Sequence, residues 1–164
     1  MKTFEFATKE DYALLNERLE SEEYSELGQF RIRFAIVMVT TSDKAGVVLP
    51  SFKTLPYNVK LNSAKDRLLK NVDVEIQIDN DYWMNDCREE NDKKAIIDGA
   101  LEQLEICTKK DDVVMNDDGT VKLKLVKPDL VYEGFLAIAE RYEGNSAEVK
   151  KMRELKGEFG DIAI

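Results

Sequence analysis

Three carboxylates in the segment 98–105 have the side-chain type and spacing of a cation site. Asp98 and Glu102 are four residues apart, and Glu105 follows three residues later. Residues three or four apart lie on the same face of a helix, and carboxylate oxygens are the ligands that hard cations such as Mg²⁺ and Mn²⁺ prefer. The segment is therefore compatible with a hydrolase that uses carboxylates and a divalent cation.

Acidic residues also form two longer runs, and the net charge of the chain is −9. This charge opposes direct binding to nucleic acid or to an anionic membrane, because both depend on cationic side chains, and it favours a basic protein partner. The first run is Asp73, Glu75, Asp79, Asp81, Asp86, Glu89, Glu90 and Asp92, and the second includes Glu17, Glu20, Glu22, Glu23 and Glu26.

Carboxylates spread over one surface can imitate the regular charges of duplex DNA, where phosphates recur about every 1.7 Å of axis when both strands are counted. Such a surface would occupy the DNA-binding groove of a partner, and long-range attraction would speed the association. The alternative interpretation is that the two runs are ordinary solvated faces, as most charged runs are. We carry both interpretations forward.

The sequence lacks the residues that several other kinds of site require. The chain contains no histidine, and its two cysteines, Cys87 and Cys107, do not form a CxxC pair. A cysteine nucleophile needs a base nearby, which is usually histidine, so buried thiols are the expected state of both residues in a cytosolic protein. We predict no cofactor and no metal site of the zinc type.

Hydrophobic periodicity predicts the elements that position these groups. An apolar stripe in Lys9–Tyr24 predicts an amphipathic helix. The segment 30–39 alternates and then becomes continuously apolar, which predicts a strand that enters the core. Alternation over 72–79 predicts a half-exposed strand with an acidic outer face.

Turn and cap residues predict the remaining elements. The segment 40–56 is typical of a loop with one short strand at 47–49. Asn62 or Ser63 begins a short helix, and residues 116–121 form the turn of a hairpin whose strands are 113–115 and 121–126. Further helices are predicted at about 92–107, at 128–142 and, capped by Ser146, at 147–155.

These elements predict a single α+β domain over residues 1–164, with a small mixed or antiparallel sheet packed by helices. No apolar run reaches the length of about 18 residues that a membrane span requires, and the first residues lack a secretion signal. We therefore expect a cytoplasmic protein.

The segment 79–106 is similar to a stretch of the putative phage metallopeptidase family, in which a Trp-containing loop leads into a zincin-like core helix bearing the motif DHELxH. The positions that match this frame are Trp83, Ile97, Asp98, Leu101 and Leu104. The resemblance extends over residues 22–144, where Phe135, Arg141 and Gly144 match a later helix and Pro128 occupies the position of a histidine.

The resemblance implies that the zinc-binding motif is degenerate in this chain. Its two metal-binding histidines correspond to Gly99 and Gln103, and its catalytic glutamate corresponds to Ala100. Glycine and alanine cannot bind zinc or accept the proton of a zinc-bound water, and glutamine is a poor zinc ligand. Gly99 also costs roughly 1 kcal/mol in a helix relative to alanine. It marks a former ligand position, permits close packing, or does both.

We therefore expect a catalytically inactive, phage-derived member of this fold that acts by binding. Its expected role is an acidic, DNA-mimic-like inhibitor of a basic host protein that handles nucleic acid or acts in defence, in the host cytoplasm. Two alternatives remain open, namely the divalent-cation hydrolase that uses Asp98, Glu102 and Glu105, and a structural or assembly protein of the virion.

Overall fold

A mixed five-stranded sheet is the centre of the fold in our computed structural model, which describes residues 1–127 and 135–150. The order β1-β2-β5-β4 places β1 and β4 at opposite edges, and β3 pairs with one end of β2. β2 and β5 are parallel, whereas β1 is antiparallel to β2 and β4 is antiparallel to β5. These strands are β1 (Lys2–Phe6), β2 (Phe34–Ser42), β3 (Val48–Leu49), β4 (Tyr57–Leu61) and β5 (Val74–Asp79).

The two longest helices of the described residues, Lys9–Glu20 and Glu90–Glu102, pack on one face of this sheet, which we call the inner face. The helices are α1 (Lys9–Glu20), α2 (Ser25–Gly28), α3 (Ala64–Lys70), α4 (Glu90–Glu102) and α5 (Leu136–Tyr142), with a π-helical turn at Tyr82–Asp86. Ile36 and Ile76 of the sheet form one buried cluster with Leu15 of α1 and with Ile97 and Leu101 of α4. The apolar face of α4 therefore lies in the core, and α4 is held against β4.

Four short strands form two small sheets after α4. β6 (Leu104–Ile106) pairs with β9 (Leu123–Leu125), and β7 (Thr108–Lys109) pairs with β8 (Asp112–Val113). Together with the main sheet and the helices they make one α+β domain, which confirms the fold class predicted from the sequence.

Several predicted elements are confirmed. α1, the short strand near 47–49 and the strand over 74–79 are present. Ser63 caps α3, because its side chain accepts a hydrogen bond from the backbone N–H of Asp66. The turn at 116–120 is also present, with Gly119 at φ 84°.

Other boundaries are wrong. β2 begins at Phe34 rather than near residue 30, because Arg31 has φ 49° and breaks the extended backbone. α4 ends at Glu102 rather than near Cys107. Residues 104–106 alternate buried, exposed and buried, which is a strand pattern, and they pair with β9.

The predicted hairpin is correct only near its turn. Met115 and Val121 form an isolated bridge across the turn, but β9 pairs with β6 and β8 pairs with β7. β1 and β4 were not predicted at all. Residues 128–134 and 151–155 of the last two predicted helices lie outside the described residues. Among the described residues, α5 covers 136–142 and a helix begins after Ser146.

Candidate functional site

Helix α4 carries the positions at which the resemblance places a zinc site. Gly99 and Ala100 are buried in the last turns of the helix, and Ala100 has no exposed surface. Gln103 is the half-buried residue at which the helix ends, and its backbone N–H donates to the carbonyl oxygens of Ala100 and Leu101. The three positions are therefore arranged along the C-terminal part of α4, beside the sheet.

Tyr57, the first residue of β4, fills the space beside Gly99. A Cβ atom added to Gly99 would lie 2.2 Å from the Tyr57 hydroxyl oxygen and 2.8 Å from the ring carbon Cζ. Tyr57 is only 4% exposed, so its ring lies in a packed environment. Any side chain at position 99, including a metal-binding imidazole, would collide with this ring. These residues therefore do not fit a zinc ion at the position that the resemblance implies.

The chemical state of Tyr57 does not provide a substitute ligand. Burial, strengthened by the negative charge of Glu148, raises the pKa of Tyr57 well above its ordinary value, although the Gln103 side chain opposes this shift. The phenol therefore keeps its proton, whereas metal ligands bind in the deprotonated form. Within the described part of the chain, the hydroxyl makes no hydrogen bond of ordinary geometry.

Asp98, the residue before Gly99, is the centre of a buried ionic network. It is fully buried, and its carboxylate accepts hydrogen bonds from both Nε (2.7 Å) and Nη2 (2.9 Å) of Arg18. Arg141 Nη1 donates to the same carboxylate at 2.8 Å, and the Tyr142 hydroxyl donates at 2.7 Å. Because four donors surround the carboxylate, Asp98 joins α1 and α5 to α4.

Tyr24 extends this network to Glu102. Its hydroxyl donates to Glu102 Oε2 at 2.8 Å and accepts from Arg141 Nη1 at 2.8 Å. Burial and the charge of Asp98 raise the pKa of Tyr24 well above its ordinary value, so this phenol is also neutral. Both carboxylates are therefore engaged by protein groups.

The predicted divalent-cation site is not assembled. Asp98 and Glu102 take part in the network, but Glu105 lies on β6, is exposed and forms a salt bridge with Lys124 at 3.5 Å. α4 ends before Glu105, so the helical spacing that grouped the three acids does not apply. Residues 1–127 and 135–150 contain no group of three or more His, Cys, Asp or Glu side chains placed to hold a metal ion.

Three acids of the predicted partner-binding surface are buried, which corrects their assignment. Asp73 accepts from the backbone and guanidinium of Arg33, and Asp79 accepts from the backbone N–H of Ser51. Asp92 accepts from Lys150 Nζ at 3.2 Å and from the backbone N–H groups of residues 88 and 89 at the start of α4. Carboxylates with these internal partners are not presented to another protein.

The remaining predicted acids form two exposed groups, with Glu75 half-buried on β5. The first group, which we call the π-helix acids, consists of Asp81, Asp86, Glu89 and Glu90. The second, which we call the α1–α2 acids, consists of Glu17, Glu20, Glu22, Glu23 and Glu26. Two of the latter have cationic neighbours, because Glu17 pairs with Lys94 at 3.1 Å and Glu23 lies 3.8 Å from Arg18.

Comparisons with known proteins support the resemblance. A family model described as "Putative phage metallopeptidase" matches residues 4–155, which is most of the chain. Searches of curated proteins and of solved structures found no match. No helix in the described ranges is long and apolar enough to cross a membrane.

Proposed function

Because the chain belongs to the putative phage metallopeptidase family, we propose that it is a member without peptidase activity that acts by binding another protein. The observation that carries the first part is the contact between Tyr57 and Gly99. The ring of Tyr57 occupies the volume that a side chain at position 99 would need. Histidine is also absent from the whole sequence, so no imidazole is available elsewhere in it.

The proposed partner is a basic host protein that handles nucleic acid or acts in defence, inhibited in the host cytoplasm. The net charge of −9 and the two exposed acidic groups support this choice. Glu20, Glu22 and Glu26 have no salt bridge within the described residues, so their charges are available to a cationic surface. Attraction of this kind is strongest at low ionic strength.

The peptidase part is tested by metal binding and by proteolysis. A ligand that binds only the folded state at 100 times its Kd stabilises that state by about 2.7 kcal/mol, which a thermal melt detects readily. We expect no rise in Tm with Zn²⁺, Mg²⁺ or Mn²⁺, no retained zinc after dialysis, and no cleavage of a peptide library. A metal-dependent rise in Tm accompanied by cleavage would contradict the closed site.

The binding part is tested by capture from bacterial lysate with the full chain as bait. We expect a protein that binds DNA or RNA to be retained at low salt, and to be released by duplex DNA or at about 0.5 M salt, where the Debye length falls to a few ångströms. Capture of phage structural proteins alone would favour an assembly role and contradict the inhibitor proposal.

Matched variants test whether binding depends on the α1–α2 acids or only on the net charge of the chain. The substitutions Glu20→Gln, Glu22→Gln and Glu26→Gln remove three exposed charges from the α1–α2 acids. The control substitutions Glu105→Gln, Asp112→Asn and Asp117→Asn remove three exposed charges from the region after α4. We expect only the first triple variant to lose the captured partner. Equal loss in both would show that net charge, rather than the α1–α2 acids, controls binding.

A further inference from the structure

The edge strand β1 has a row of backbone hydrogen-bonding groups that point away from the main sheet. Directly after β1, the N–H of Ala7 donates to the carbonyl oxygen of Ile36 at 3.1 Å. Bonded and non-bonded residue pairs alternate along antiparallel strands, so the odd-numbered residues of β1 are those that bond to β2. The N–H and C=O groups of the even-numbered residues face the opposite side. These residues are Lys2, Phe4 and Phe6.

The two edges of the main sheet differ in what lies beside them. At one edge, Tyr57 and Val59 of β4 are each only 4% exposed, and β4 contacts α4 and β9. At the other edge, every residue of β1 is exposed, and among the residues that the structure describes β1 pairs with β2 alone. β1 contains no proline, and its register with β2 continues without a bulge. Proline, bulges and covering segments protect many sheet edges, and β1 has none of the three within the described ranges.

The side chains of β1 indicate which strand fits beside it. Glu5 lies opposite Met38, a core residue, and therefore points to the inner face. The alternation of the strand places Phe4 and Phe6 on the other face, where apolar side chains of an added strand would cover them. Lys2 and Glu5 form no salt bridge in the described part of the chain, so each can meet an opposite charge directly across from it.

These features select among possible occupants of the edge. Nucleic acid and lipid lack a row of amide donors and acceptors with the spacing of a strand, whereas an extended peptide provides one. A second copy of the chain could pair its own β1 antiparallel to this one, centred on Phe4. That register places Phe6 opposite Lys2 and Thr3 opposite Glu5, so neither charge meets its opposite. A segment of a different protein can supply both counter-charges.

We propose that β1 binds an extended segment of another protein, which adds a strand to the main sheet. The added strand runs antiparallel to β1, because antiparallel pairing is the more stable. From its N-terminus it carries an apolar residue opposite Phe6, a basic residue opposite Glu5 and an apolar residue opposite Phe4. A β-branched residue and an acidic residue opposite Lys2 follow. No residue of the two exposed acidic groups or of the closed zinc position takes part, so the inference does not depend on the proposed function.

A synthetic peptide with this pattern tests the inference. The acetylated and amidated peptide Val-Lys-Tyr-Thr-Glu is titrated to about 5 mM, a range suited to weak binding, into the isotope-labelled full chain at low salt. In the amide NMR spectrum, we expect the N–H signals of Phe4 and Phe6 to shift and to exchange more slowly with water. Those of Thr3 and Glu5, which already bond to β2, should change less.

Two results of this titration would overturn the proposal. One is that the N–H signals of Phe4 and Phe6 do not change at about 5 mM peptide. The other is that they shift with protein concentration alone, which would identify a second copy of the chain as the occupant.

Two N-methylated peptides are the matched controls. Methyl groups on the amide nitrogens of Tyr and Glu remove donors that face β1, whereas methyl groups on those of Lys and Thr alter only the far edge of the added strand. Loss of two hydrogen bonds should weaken binding roughly tenfold, and only the first peptide should show it. Equal weakening by both methylation patterns would contradict pairing through the backbone.

A charge exchange tests the side-chain pattern. Glu5 is exposed, so Glu5→Lys should fold as the parent does. This variant should bind the original peptide about threefold more weakly, and a peptide with Glu in place of Lys should restore the affinity. A variant that binds both peptides alike would contradict the predicted position of the basic residue.

Discussion

Replacement of Gly99 by alanine is the sharpest test of the contact between α4 and β4. In an ordinary helix, alanine in place of glycine stabilises by roughly 1 kcal/mol. Here the new Cβ would lie 2.2 Å from the Tyr57 hydroxyl oxygen and 2.8 Å from Cζ, which are distances that require the ring to move. The substitution should therefore destabilise the protein, against the trend of helix propensity.

The size of the effect follows from two opposing contributions. Overpacking of a well-packed core costs typically about 1–3 kcal/mol, and Tyr57 is almost fully buried, so its ring has little space to retreat. After the gain of roughly 1 kcal/mol in helix propensity is subtracted, we expect a net loss of up to about 2 kcal/mol in the free energy of unfolding. For a chain of this length, each kcal/mol of that loss corresponds to a fall in Tm of roughly 2–4 °C.

The assay is a double-mutant cycle measured by urea denaturation. Gly99→Ala is made in the parent, in Tyr57→Phe and in Tyr57→Leu. The phenylalanine removes the nearest atom but keeps Cζ, so the cost of Gly99→Ala should shrink. The leucine removes both atoms, and the alanine should then become neutral or stabilising. Such a change of sign can arise only if positions 57 and 99 interact.

A result that would refute this reasoning is an equal cost of Gly99→Ala in all three backgrounds. Gly46→Ala serves as the control, because Gly46 has φ 81° and no atom near a new Cβ. Its cost comes from backbone strain alone and should not depend on residue 57. Tyr57→Phe by itself should be close to neutral, since its buried hydroxyl has no hydrogen bond of ordinary geometry to lose.

Three further predictions follow from other buried groups. Asp98→Asn leaves two arginines without their buried anion and should cost about 3–5 kcal/mol in urea denaturation. Burial opposes ionisation of Asp92, but hydrogen bonds from Asn145 and the backbone, together with Lys150, lower its pKa below the ordinary value of 3.8. The free energy of unfolding of the parent should therefore exceed that of Asp92→Asn by its full amount above pH 3.8. This difference should disappear as the pH falls through the lowered pKa. Burial raises the pKa of the Cys87 thiol to about 12, so at pH 8 an aromatic disulfide reagent should modify it more slowly than the half-buried Cys107, unless urea is added.

Elements that are marked by a local sequence pattern were predictable from the sequence. Alternation located β5, and a Ser followed by a helical segment located the start of α3. β4 alternates apolar and polar residues and β1 carries two phenylalanines two residues apart, so a strand pattern was present in both; they were missed because each pattern extends over only five residues. Ser63 caps a helix through a hydrogen bond to a residue three positions away, whereas an edge strand depends on pairing with a strand elsewhere in the chain.

The site itself was only partly predictable. The motif frame identified Gly99, but the residue that fills its space, Tyr57, lies on a distant strand, and no local pattern connects the two. Asp73 and Asp79 were assigned to the surface because they alternate with apolar residues, yet partners from other segments bury them. For Asp98 a signal was present, since a single acid within the apolar segment 95–101 requires a cationic partner. The sequence does not indicate that Arg18 and Arg141 are those partners.

The Asp98 network also has a consequence for the order of folding. Removing a carboxylate from water is unfavourable until its cationic partners are in place, and these partners come from α1 and from α5, near opposite ends of the described chain. Contacts so distant in sequence form after large loops have closed. The Arg18–Asp98 contact spans 80 residues and the Arg141–Asp98 contact spans 43. The docking of α1 onto α4 should therefore follow the rate-limiting step, so that loss of Arg18 would speed unfolding while leaving the refolding rate almost unchanged.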